Sequence, residues 1–146
     1  MPTNVYERRP RTAAFEEVYL EFKLTADDVS DGDTSQDVTP PGLPSGMVLY
    51  EYVRAIPQVN ATTTAESLTD LDVQMGTAGD PDYLITSFDL VDVDVDGTPV
   101  EGTGTLLASA TKPTIQFDST AENLNAAGLA FEVTFQMAYK VPIDLA

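Results

Sequence analysis

The stretch LAFEVTFQMAYKVPI, residues 129–143, decides the fold class. Phe131, Val133, Phe135, Met137, Tyr139, Val141 and Ile143 hold one parity, while Glu132, Thr134, Gln136 and Lys140 hold the other. A period of two describes a strand with one face in a core and one in water, whereas a helix would bring apolar residues round every three to four positions.

Working outward, VYLEFKL (residues 18–24) alternates in the same way, with Val18, Leu20, Phe22 and Leu24 on one side. Its aromatic and β-branched content favours a strand over a helix through AAFEEVYLEF. In MVLYEYVRAI (47–56), Tyr50 and Tyr52 share a parity with Val48, Arg54 and Ile56, and Met47, Leu49 and Val53 take the other. Apolar residues on both sides predict a central strand or an edge covered by a partner. LDVQM (71–75) reads as a short strand, GTAGDPD (76–82) as a turn, and YLITSFDL as a strand placing Leu84, Phe88 and Leu90 inward. Val91, Val93 and Val95 then alternate on the opposite parity, which predicts a bulge or bend at Leu90–Val91 and an acidic strand beyond it. TLLASA and PTIQF complete the set, and AENLNAA (121–127), closed by Gly128, is the one helix-like fragment, a single turn or part of a crossover loop. About seven or eight short strands without a βαβ rhythm predict an all-β chain: an antiparallel β-sandwich, jelly-roll-like in first place and immunoglobulin-like as the alternative.

The predicted organisation is an N-terminal arm over residues 1–14 and a single β-sandwich domain over 15–146. Residues 25–46, TADDVSDGDTSQDVTPPGLPSG, are acidic and rich in Ser, Thr, Gly and Pro, and read as a long exposed loop. No stretch approaches the roughly 20 apolar residues of a membrane helix, and the start lacks a secretory apolar run.

Charge narrows the partners. Twenty-four acids against seven bases give a net charge of −17. Three of the bases are Arg8, Arg9 and Arg11, so residues 12–146 carry only Lys23, Arg54, Lys112 and Lys140. Such a surface disfavours direct nucleic-acid binding and anionic membranes. It suits a basic partner or a salty medium, in which screening relieves self-repulsion. The chain has neither cysteine nor histidine, which excludes disulfides, thiolate ligands, imidazole chemistry and His-based triads. No G-x-S-x-G elbow, S-x-x-K pair or phosphate loop is present, and no carboxylate pair stands out, so an enzyme is not expected.

Asp92, Asp94, Asp96 and Gly97 open like a calcium loop, but position 12 is Thr103 and Glu101 falls two places early. On a strand these aspartates would point into water about 6–7 Å apart. A solvated acidic face is the first reading. A weak Ca²⁺ or Mg²⁺ site on Asp94, Asp96 and Glu101, made by a curl at Gly97, is the second; otherwise no cofactor is expected. The sequon Asn60-Ala61-Thr62 is a short match without a secretory context.

QMGTAGDPDYLITSFDL, the Gly/Thr-rich turn that follows, an Ala/Thr segment and the terminal AGLAFEVTFQMAY together resemble small β-rich virion proteins of tailed viruses. The shared pattern covers roughly residues 70–141 and has no catalytic or ligand residue to carry across. The acidity resembles that of proteins from halophilic hosts and their viruses. The resemblance implies location in the virion and a structural protein that decorates or stabilises a viral head. It implies a homo-oligomer, with rings or trimers the usual forms, contacting the major capsid protein or another virion protein. A tail-associated structural protein is one alternative, and a carbohydrate- or protein-binding β-sandwich module with a weak calcium site is another. For assembly contacts the candidates are Tyr6, Arg8, Arg9 and Arg11 on the arm, with Tyr50 and Tyr52 for a buried contact.

Overall fold

The computed structural model describes residues 15–30, 32–43, 48–65, 67–102, 107–109 (backbone) and 111–142. The predicted arm, with Tyr6, Arg8, Arg9 and Arg11, lies outside them. Nine strands run in chain order: β1 (Phe15–Thr25), β2 (Ser35–Val38), β3 (Val48–Thr62), β4 (Asp72–Thr77), β5 (Asp80–Asp89), β6 (Val100–Glu101), β7 (Leu107–Ser109), β8 (Thr114–Asp118) and β9 (Ala130–Pro142). A three-residue 3-10 turn, Ala26–Asp28, is the one helical element among the described residues.

The strands form an antiparallel sandwich. One sheet has the order β1-β9-β3-β6, with β7 also against β3, and the other has the order β2-β8-β4-β5. β9 is the hub of the first sheet because it pairs β1 along the whole of that strand, from Phe15↔Pro142 to Thr25↔Glu132, and pairs β3 on its other side. Its inward residues Phe131, Val133, Phe135, Met137 and Tyr139 are buried against Val73, Met75, Ile115 and Phe117 of the second sheet. Phe117 on β8 and Phe131 on β9 bring their ring centroids to 5.3 Å across the core.

Several expectations are corrected by tertiary detail. Residues 25–46 are not one structureless loop. Thr25 caps the 3-10 turn in a capping box with Asp28, and β2 then pairs the edge of β8. Val29 and Leu43 are buried and Val38 half-buried. Three apolar side chains spaced through an acidic background were enough to anchor the segment.

Tyr50 and Tyr52 do not share a face. The β3–β9 register runs Tyr50↔Tyr139 and then Tyr52↔Ala138, so Glu51 is an extra residue and the parity inverts there. Val48 and Tyr50 are buried before the bulge, Val53 and Ala55 after it. That bulge explains the apolar residues on both parities of this stretch. In β5 the irregularities come earlier than expected: Val73↔Phe88 and Met75↔Ile85 leave one residue over, and Leu84 and Ile85 are both buried. β5 ends at Asp89, and Leu90–Val93 form a turn closed by Val93 N–H donating to Asp89 O at 2.9 Å. The predicted acidic strand is therefore a loop, with Val95 40% exposed instead of inward. AENLNAA forms turns, within the single turn or crossover loop expected of it; they are tied down where Leu124 N–H donates to Asp33 O and Thr64 N–H to Ala127 O.

Candidate functional site

The outward parity of β1, β9 and β3 places side chains in rows across the first sheet. In one row Gln136 Nε2 donates to Glu21 Oε1 at 2.6 Å, and Arg54 Nε donates to Gln136 Oε1 at 2.9 Å. Arg54 Nη1 then reaches Glu101 Oε1 on β6 at 4.0 Å. Four strands are thus laced by Glu21–Gln136–Arg54–Glu101. In the next row Ala138 stands between Tyr19 and Tyr52. Its small side chain leaves both rings room on the face, and the Arg54 guanidinium lies 4.7 Å from the centroid of Tyr52. Beyond it, Lys140 Nζ is 3.1 Å from Glu51 and 3.7 Å from Glu17, and the Glu51 carboxylate first, then Glu17, hold its pKa above the usual lysine value. On the other side Lys23 lies 3.8 Å from Glu132, and Thr134 Oγ1 donates to Gln58 at 2.8 Å. Between these rows is a shallow depression of about 440 Å³ lined by Glu21, Lys23, Ile56, Gln58, Thr134 and Gln136.

This face differs electrostatically from the remainder. It carries Lys23, Arg54 and Lys140, three of the four bases in residues 12–146, against Glu17, Glu21, Glu51, Glu101 and Glu132. Most of the positive charge of the described residues thus lies on one side, and that side also exposes Tyr19 (56%) and Phe15 (41%). Flatness, paired charge and tyrosine suit a contact between proteins.

The opposite outer face is acidic. Asp72 on β4 sits in register with Asp89 on one side and Asp118 on the other. Burial first, then the charges of Asp70, Asp89 and Asp118, raise its pKa. Asp70 is held low chiefly because it accepts from Thr120 N–H at 3.0 Å and from Thr120 Oγ1 at 2.8 Å.

Of the residues singled out from sequence, Tyr50 is 1% exposed in the core, tilted against Tyr139 at 6.1 Å, and burial pushes its pKa up to about 12. Tyr52 is half-buried on the outer face described above. Asp92, Asp94 and Asp96 are exposed loop residues, and Asp96 Oδ1 accepts from Thr98 N–H at 3.0 Å, which lowers its pKa. Glu101 Oε1 lies 4.0 Å from Arg54 Nη1. Among the described residues no group of three or more acids is placed to hold a metal ion. Asn60 of the sequon donates through Nδ2 to Leu90 O at 3.0 Å and Val93 O at 2.7 Å, which gives it a structural task. Sequence reasoning missed Tyr19, Gln136 and the polar ladder. Their outward parity was visible; the neighbours across the sheet were not.

No protein-family model matches the sequence, and no curated protein matches it. The fold is shared with a chain of the cyanophage Pam1 capsid asymmetric unit at a TM-score of 0.57 and 15% identity, over 89% of this chain and 88% of that one. A chain of the acidic stable capsid structure of Helicobacter pylori bacteriophage KHP30 aligns at a TM-score of 0.45 and 14% identity, over 89% of this chain and 95% of that one. At these identities the first likeness is one of fold.

Proposed function

We propose that this chain is a virion structural protein, located in the viral particle, that decorates or stabilises the head through contacts with neighbouring subunits. The observation that carries the reading is the end-to-end match of the sandwich to a chain of the cyanophage Pam1 capsid asymmetric unit, covering 89% and 88% of the two chains. The tyrosine-bearing face of β1, β9 and β3, where three bases offset part of the acidic charge, supports it, since an otherwise acidic body would approach a neighbour there at the least electrostatic cost. The role is mechanical: the sandwich is a rigid body, and many weak contacts sum over a symmetric shell.

The test is localisation. Antibody raised against the purified full chain is applied to purified particles of the encoding virus, and gold label is read by electron microscopy. Label distributed over the head at many copies per particle is expected. Label confined to the tail would move the protein to the tail-associated alternative, and label-free particles would end the virion reading.

A further inference from the structure

β1 is the terminal strand of its sheet, and it is long. It spans eleven residues, Phe15–Thr25, with β9 on one side and no described strand on the other. A free edge of that length presents a row of peptide donors and acceptors that a second strand can pair. Its inward side chains Val18, Leu20 and Phe22 are only partly buried, whereas their β9 partners Tyr139, Met137 and Phe135 are at most 3% exposed. Apolar surface at this edge is thus left only partly covered by the described residues. Two of the four exposed large hydrophobic residues among those described, Phe15 and Tyr19, lie on the same strand.

We infer that β1 pairs antiparallel with β1 of a second copy about a two-fold axis at Leu20, joining two sheets into one across the dimer. The inference rests on the assembly reading above and supplies its surface. Side-chain chemistry selects the register. Because inward residues must meet inward residues, the axis passes through a residue, and the pairs follow from it. Centred on Leu20, the midpoint of the strand, all eleven residues pair. Val18 faces the partner's Phe22, Leu20 faces the partner's Leu20, and Glu17 faces the partner's Lys23, twice by symmetry. Tyr19 lies beside the partner's Glu21 and diagonal to the partner's Tyr19. Centring on Tyr19 would set Glu17 against Glu21, and centring on Glu21 would set that carboxylate against itself. Centring on Phe22 sets Glu21 against Lys23 but pairs only residues 19–25, next to the 3-10 turn. The Leu20 axis alone combines full length, apolar contact and opposite charges.

The chain lacks cysteine, which makes the register directly readable. Residues directly opposite on antiparallel strands have Cα atoms about 4.5–5.5 Å apart, within disulfide reach. Full-length Leu20→Cys, mildly oxidised, is expected to give a covalent dimer on a non-reducing gel, and the parent protein twice the chain mass by light scattering. Phe22→Cys and Gly79→Cys, the latter at the tip of the β4–β5 hairpin, should stay uncrosslinked. A parent protein that is monomeric at all concentrations, or crosslinking equal at all three positions, overturns the inference. Charge exchange provides a second measurement if the cysteine variant fails to fold. Glu17→Lys or Lys23→Glu alone should raise the dimer dissociation constant at least about fivefold. The double exchange should restore it, although Lys140 and Glu132 within the chain then face like charges. Failure of the double variant to recover rejects the intermolecular pair. Gold label on particles combined with a monomeric, uncrosslinked protein would sink this register while leaving the virion reading in place.

Discussion

Asp89 holds two peptide groups at the end of β5: its Oδ1 accepts from Leu71 N–H at 3.0 Å and from Val91 N–H at 2.9 Å. Leu71 is fully buried, so its N–H is not easily re-solvated. Asp89→Ala should cost about 1–3 kcal/mol, read as a lower denaturant midpoint at unchanged slope. Nothing in SFDLVDVDVDG marks the first of its four aspartates as the structural one; only the position of Leu71 does. Asp72 is the opposite case. Its folded pKa is raised, so ionising it works against the fold, and stability falls as pH rises through that pKa. Asp72→Asn should therefore stabilise the protein by about 0.2–1 kcal/mol near neutral pH. The advantage should vanish as pH drops below the usual carboxylate value of 3.8, where Asp72 is protonated in both states. Melting temperatures measured across pH check the sign, and a gain that persists in acid would refute the electrostatic cause.

The elements obey local periodicity until a residue is inserted. β9 and β1 keep strict alternation, and both were legible because each side chain's environment follows from its parity. β3 was legible as a strand but not in its phase, since Glu51 bulges and turns Tyr52 outward while Tyr50 stays in. Between strands, Gly128 has a φ of 72°, and a Cβ there would collide with Thr64 Oγ1 and meet Thr64 N at 2.9 Å. Gly128→Ala pairs a left-handed backbone with a collision against the chain that donates to Ala127 O. A loss of more than about 1 kcal/mol is expected in thermal or denaturant unfolding. A neutral result would mean that the 121–128 turns can shift at no cost.

At the scale of the molecule, charge and shape act together. Three bases in residues 12–146 are committed to one face, so the remaining surface repels itself. The melting temperature should climb by several degrees from dilute to molar sodium chloride as screening relieves that repulsion, and a flat or falling curve would refute the account. The surface pairs in the ladder oppose the trend only weakly, because exposed ion pairs contribute little.

What the sequence determined by itself was the all-β class, the two strands of unbroken alternation, the acidic surface and the lack of imidazole or thiol chemistry. Each is a property of residue type or of period two, and neither needs knowledge of a neighbour. Tertiary structure alone decided which strands lie side by side. That assigned Gln136 its two partners, drew Val29, Val38 and Leu43 from an acidic stretch into the sandwich, and left β1 with no described strand beyond it. Register and edge position depend on contacts between residues far apart in the chain, and a one-residue bulge, invisible in composition, is enough to reverse the side on which every following residue points.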